Sequence, residues 1–140
     1  MGNMQVFLSH AKADEAIAHD LAVRLTKQGF NVWWPEDKLN PGDNWALEIG
    51  KALERSQALV VLLSRESVKS SDVRREIEYA LTERQFAHRV VSVVVDAGLS
   101  LHTVPWILRK LNVLVPGNNP LERSEEVAQA LRKTVPAFAR

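Results

Sequence analysis

Two stretches of the chain, Ala58 to Leu63 (ALVVLL) and Val90 to Val95 (VVSVVV), are apolar with almost no alternation. A strand with one face in water alternates apolar and polar side chains, so an unbroken apolar run needs cover on both faces. That situation belongs to the inner strands of a parallel sheet held between helices. Met4 to Ser9 (MQVFLS), Phe30 to Trp34 and Asn112 to Val115 read as three further strands. Longer segments with helical spacing separate them. From Ala13 to Gln28, Ile17, Leu21 and Leu25 fall four apart with Ala18 and Ala22 beside them. Asp14 and Glu15 suit the positive end of that helix, and Gly29 stops it.

Trp45, Ile49 and Leu53 make the stripe of a second helix, which Asp43 or Asn44 can cap. Ser70 or Ser71 opens a third, carrying Val73, Ile77, Ala80 and Leu81. A short helix covers Val104 to Lys110, and Asn119-Pro120 begins the last, whose stripe is Val127, Leu131 and Val135. Pro35 to Asn44 (PEDKLNPGDN), with two prolines and a glycine, reads as a loop. The expected fold is α/β: a flavodoxin-like, three-layer αβα arrangement with a five-stranded parallel sheet. The 140 residues fit one domain, 1–140.

Composition narrows the function classes. Net charge is +1, which gives no field to hold nucleic acid or an anionic membrane. There is no cysteine, hence no disulfide, no thiolate nucleophile and no cysteine metal site. The apolar run at Val6-Phe7-Leu8 follows Met1 without a basic region or cleavage site, and no apolar run is long enough to cross a bilayer. A cytoplasmic protein is expected.

Ligands of open α/β sheets gather outside the carboxyl ends of the strands. Those ends deliver Ser9-His10, Trp34-Pro35, Ser64 and Asp96. Neither a GxGxxG turn nor a GxxxxGK[ST] loop is present, which removes the usual dinucleotide and phosphate-loop sites. A phosphorelay receiver needs acidic residues after the first strand and an aspartate ending the third, where this chain has Ser9-His10 and Leu63-Ser64. His10, His19, His88 and His102 show no metal-ligand spacing. Ser9 lacks the glycine-flanked elbow of a hydrolase nucleophile.

Three segments in order carry a resemblance. Val6-Phe7-Leu8-Ser9-His10, with Asp14 just beyond, resembles the first box of the TIR (Toll/interleukin-1 receptor) family, which bacterial members often spell F-I-S-Y/H-x-x-x-D. Gly29 to Trp45 (GFNVWWPEDKLNPGDNW) resembles the family's second strand and the loop ending in P-G-D-x-W. Val60 to Glu76 (VVLLSRESVKSSDVRRE) resembles its third strand, serine and glutamate-bearing helix. In many members that helix reads S-x-W-C-x-x-E, so Asp72 stands at the usual tryptophan and Val73 at the cysteine; Pro35 replaces a common aspartate.

The resemblance implies cleavage of the nicotinamide–ribose bond of NAD+, as a glycohydrolase or ADP-ribosyl cyclase, with NAD+ as substrate and no other cofactor or metal. It places the catalytic carboxylate at Glu76 and draws Ser9, His10, Trp34, Asp43, Trp45, Ser64 and Asp72 toward the substrate. Stand-alone bacterial members resemble parts of anti-phage defence of the Thoeris type, in which a nucleotide product reaches a separate effector. The resemblance equally implies self-association through Pro35–Asn44, and hence a second function, a non-catalytic adaptor. A third is a deoxyribosyltransferase, which also sets a glutamate at an anomeric carbon. The residues alone leave other roles open. Glu76 can be a surface residue paired with Arg75, Ser9 and Ser64 can bridge backbone, and the tryptophans can be anchors, Trp33 being assigned to the core and Trp34 to stacking on a ring.

Overall fold

Five parallel strands form one sheet in the computed structural model, which describes residues 5–110 and 112–134. The strands are β1 Gln5–Ser9, β2 Asn31–Trp33, β3 Ser56–Leu63, β4 Val90–Val94 and β5 Asn112–Leu114, and their order is β2-β1-β3-β4-β5. This is the flavodoxin-like order, with its topological switch between β1 and β3. The helices are α1 Glu15–Lys27, α2 Pro35–Lys38, α3 Trp45–Arg55, α4 Ser71–Thr82, α5 Trp106–Arg109 and α6 Pro120–Thr134. Met4 and Val135, expected in the first strand and the last helix, lie outside the described residues.

Strand alternation divides the core into two layers. Val6, Leu8, Ala58, Val60, Leu62, Val91 and Val93 pack against Ala18, Leu21, Ala22 and Leu25 of α1 and Val127, Ala128 and Leu131 of α6. Phe7, Leu59, Val61, Leu63 and Val90 pack against α3, α4 and α5 through Ala52, Leu53, Val73, Ile77, Ala80 and Leu108. The two unbroken apolar runs are thus buried on both faces, as their composition requires. Fully burying one such leucine or valine contributes roughly 1.5–3 kcal/mol, so this double layer is the main source of stability.

Local chemistry ends the elements where the sequence indicates. Gly29, at φ 96°, closes α1: its N–H bonds the Thr26 carbonyl and the Phe30 N–H bonds the Leu25 carbonyl. A side chain would be strained in that left-handed conformation. Asn44 caps α3 by accepting from the Leu47 N–H, and Ser70 caps α4 by accepting from the Val73 N–H. Asn119 accepts from the N–H groups of Leu121 and Glu122 at the start of α6.

Some expectations change. Residues 35–44 are not wholly loop, because Pro35 at the first helical position starts the single turn α2. The helix expected at Val104 to Lys110 is a 3-10 turn, Leu101–Thr103, followed by the four-residue α5. Leu81, placed on a buried stripe, is 37% exposed, since the helical turn sets it at the margin of the face that Val73, Ile77 and Ala80 define.

Candidate active site

The carboxyl ends of β1 and β3 meet at the switch point, where Ser9 pairs in register with Val61. Ser9 shares the parity of Phe7, so it faces the α3–α4 layer. From there its Oγ donates to Glu76 Oε1 at 2.6 Å. Glu76 stands on α4 between the buried Val73 and Ile77, and this position carries it inward with the apolar stripe. Ser9 is 1% and Glu76 8% exposed. Glu76 Oε2 has no partner among the described residues.

Burial is the main influence on Glu76 and pushes its carboxyl up to about 7 from an ordinary 4.5. The Ser9 hydrogen bond opposes that rise, while the negative charges of Asp72 and Glu36 add to it. A carboxyl poised near neutrality at the ligand edge of a sheet has the usual signature of an acid–base or charge-stabilising group.

A second hydroxyl–carboxylate pair stands on the other side. Ser64, just past β3, donates to Asp14 Oδ2 at the start of α1. Its Oγ also accepts from the Ser67 N–H, and its own N–H bonds Ser67 Oγ. These bonds lock the start of the β3–α4 connection to the β1–α1 turn. Ser64 therefore serves Asp14, while Ser9 serves Glu76.

His10, the next residue after Ser9, turns to the α1 side. Its side chain is 2% exposed, its Nε2 lies 3.2 Å from Glu36 Oε1, and its ring meets the edge of Trp34. The Glu36 approach lies off a hydrogen-bonding line, so both ring nitrogens are buried without a hydrogen-bond partner. Both tryptophans pack against the core, on opposite faces, so the assignment of Trp33 holds and that of Trp34 changes. Trp34, assigned to stack on a ligand, is 6% exposed and belongs to the α1–α6 layer, with His10 and His19 edge-on against it. Trp33 is half-buried and stacks on Phe7 in the opposite layer. Register decides this: Trp33 shares the face of Phe7, its partner across the β1–β2 ladder.

The remaining expected residues lie outside this cluster of contacts. Asp43 accepts from the Asn40 N–H, and Trp45 Nε1 donates to the Asn40 carbonyl, so both brace the 39–44 loop. Asp72 is exposed and pairs with Arg75. Asp96, at the end of β4, is fully engaged by the backbone and guanidinium of Arg65 and by the Gly98 N–H. Arg65 holds its carboxyl well below the usual range. A hollow of about 410 Å³ runs along α1, β2 and α2, with His19, Phe30, Trp34 and Asp37 among its walls, but Glu76 is not among them.

The sequence model of the TIR domain family matches residues 6–133. The chain belongs to the TIR domain family. Over 86 residues, 61% of the chain, this TIR domain is 31% identical to the 2' cyclic ADP-D-ribose synthase BtTIR of Bacteroides thetaiotaomicron. It is 34% identical over 74 residues, 52% of the chain, to the NAD(+) hydrolase PdTIR of Paracoccus denitrificans. The matches span 30% and 25% of those relatives' lengths. A metazoan TIR-STING receptor from C. gigas superposes with a TM-score of 0.75 at 20% identity, covering 90% of this chain and 38% of the receptor. That likeness shows the fold.

Glu36 and the Asp14–Ser64 tie were not assigned from the sequence as parts of the site. Asp14 stands in the first box, and its offset from Ser9 was the available signal. Nothing local singles out Glu36, which reaches the site through the tertiary position of α2.

Proposed function

We propose that this TIR domain cleaves the nicotinamide–ribose bond of NAD+, with Glu76 as the carboxylate at the reacting sugar. The observation that carries the reading is the buried Glu76, tied through Oε1 to Ser9 with Oε2 unpartnered, at the switch point of the sheet. Similarity to an NAD(+) hydrolase and a cyclic ADP-ribose synthase supports it.

The chemistry asks little of the protein. Nicotinamide is cationic in NAD+ and leaves neutral, taking the electron pair of the broken C–N bond, so no general acid is required. This differs from ordinary glycoside hydrolysis. An ionised Glu76 offsets the positive charge that grows on the ribose ring. The cationic ring also favours ionisation of a carboxyl otherwise poised near neutrality. Water then adds to the anomeric carbon and loses a proton, giving ADP-ribose. A hydroxyl of the same molecule attacking in its place gives a cyclic product, and exclusion of water around Glu76 sets the balance.

A second reading, an adaptor that assembles through residues 35–44, is favoured by Asp72. It is exposed and paired with Arg75 at a position beside Glu76 that offers no aromatic surface. The two readings combine if assembly completes the site. A nucleotide-sensing effector downstream of the product and a role in anti-phage defence belong to the same proposal. Among the described residues no helix is long and apolar enough to cross a membrane. The test is NAD+ turnover at high protein concentration with products resolved by chromatography. Wild type is expected to form ADP-ribose or a cyclic isomer, and Glu76→Gln to lose at least about 100-fold, the scale of a key electrostatic group. Folded, assembled wild type that leaves NAD+ intact would overturn the enzyme reading and leave a binding module.

A further inference from the structure

We propose that Ser9 is the positioning residue of Glu76, holding Oε1 from the end of β1 so that Oε2 alone is presented to the ligand. The inference rests on the proposed function for the identity of that ligand, the ribose of NAD+.

The geometry carries it. Ser9 is the last residue of β1 and pairs with Val61 of β3, while the β1–β2 ladder ends at Phe7, so the sheet fixes its backbone from the β3 side. Its hydroxyl donates to Glu76 and has no second acceptor among the described residues. Glu76 reaches the sheet edge on a flexible side chain from a separate element, α4. One short bond to a fixed strand therefore sets the carboxylate plane and distinguishes its two oxygens. Ser64 cannot substitute, because it is committed to Asp14 and Ser67.

The same bond has a charge consequence. A hydroxyl that donates to a carboxylate stabilises the ionised form. Two carboxylates oppose it, Asp72 one turn earlier on α4 and Glu36 on α2. His10, beside Ser9 on the chain, is engaged with Glu36 and not with Glu76. Ser9 and Glu36 thus act on Glu76 in opposite senses, and variants at the two positions must move its titration in opposite directions. A role for Ser9 in packing alone would not produce that pattern.

The test is a carbon-13 NMR titration of the Glu76 carboxyl in labelled protein, assigned with Glu76→Gln. Ser9→Ala is expected to raise the midpoint by about one pH unit, a tenfold change in proton affinity. Ser9→Thr, which keeps the hydroxyl, should stay near wild type, and Glu36→Gln should lower the midpoint. Ser9→Cys keeps the volume with a weaker donor and should fall between serine and alanine; it decides the matter if the alanine variant does not fold. A midpoint unmoved by loss of the hydroxyl in a folded variant overturns the proposal. The titration needs no substrate, so Ser9 is judged even where NAD+ turnover is absent. Where turnover is present, the acidic limb of kcat should move with the NMR midpoint.

Discussion

A carboxyl at 8% exposure resists ionisation, and in Glu76 that resistance is tied to stability as well as to chemistry. Its folded value is about 7 against an ordinary 4.5, so between these limits the native state holds a proton that the unfolded chain releases. Stability therefore falls as pH rises through this window and levels off above it. The cost at full ionisation is about 3 kcal/mol, at 1.36 kcal/mol per pH unit. Glu76→Gln removes the ionisation while keeping an oxygen for Ser9. It should be more stable than wild type at pH 8 by up to about 3 kcal/mol and nearly equal at pH 4.5, as urea titrations at the two pH values would show. Greater stability combined with lost turnover is the pattern expected of a functional residue. A destabilised Glu76→Gln at pH 8 would mean that the carboxylate is structural.

At the scale of elements, α4 carries Glu76 and begins at the Ser70 cap, whose side chain accepts from the Val73 N–H at 3.2 Å. Ser70→Ala should cost about 1 kcal/mol, read as a lower denaturation midpoint with an unchanged m-value, and should loosen the turn that precedes Glu76. The elements themselves were largely legible in the sequence. The runs at Ala58 and Val90 define the inner strands, and the four-residue spacing of Ile17, Leu21 and Leu25 defines α1, because burial forces those patterns directly. The tryptophan pair was not legible. Alternation states that Trp33 and Trp34 point to opposite faces, but which face lies against α1 depends on register with β1, a tertiary quantity. Glu36 was hidden for a similar reason, since one turn of helix after β2 brings it against His10. Ser9 and Glu76 were each singled out by the sequence, yet their bond spans 67 positions and follows only from the pairing of β1 with β3.

For the whole molecule, the two core layers hold the sheet rigid while residues 39–44 stand largely exposed, braced by the bonds of Asp43 and Trp45 to Asn40. That brace gives the segment a defined shape. If assembly completes the site, turnover per protomer should rise with protein concentration, and Asp43→Ala should weaken that dependence. Analytical ultracentrifugation beside the rate measurements checks it, and concentration-independent turnover would separate activity from assembly.

In the proposed function, an ionised Glu76 at the β1–β3 switch point carries NAD+ cleavage. The direct measurement is NAD+ turnover from pH 5.5 to 9 for wild type and Glu76→Gln, both confirmed as folded. Wild-type kcat should rise to a plateau, with a limb near neutral pH or below it once the cationic substrate is bound, and Glu76→Gln should give a flat, near-zero profile. Undiminished turnover in Glu76→Gln would contradict that role for Glu76.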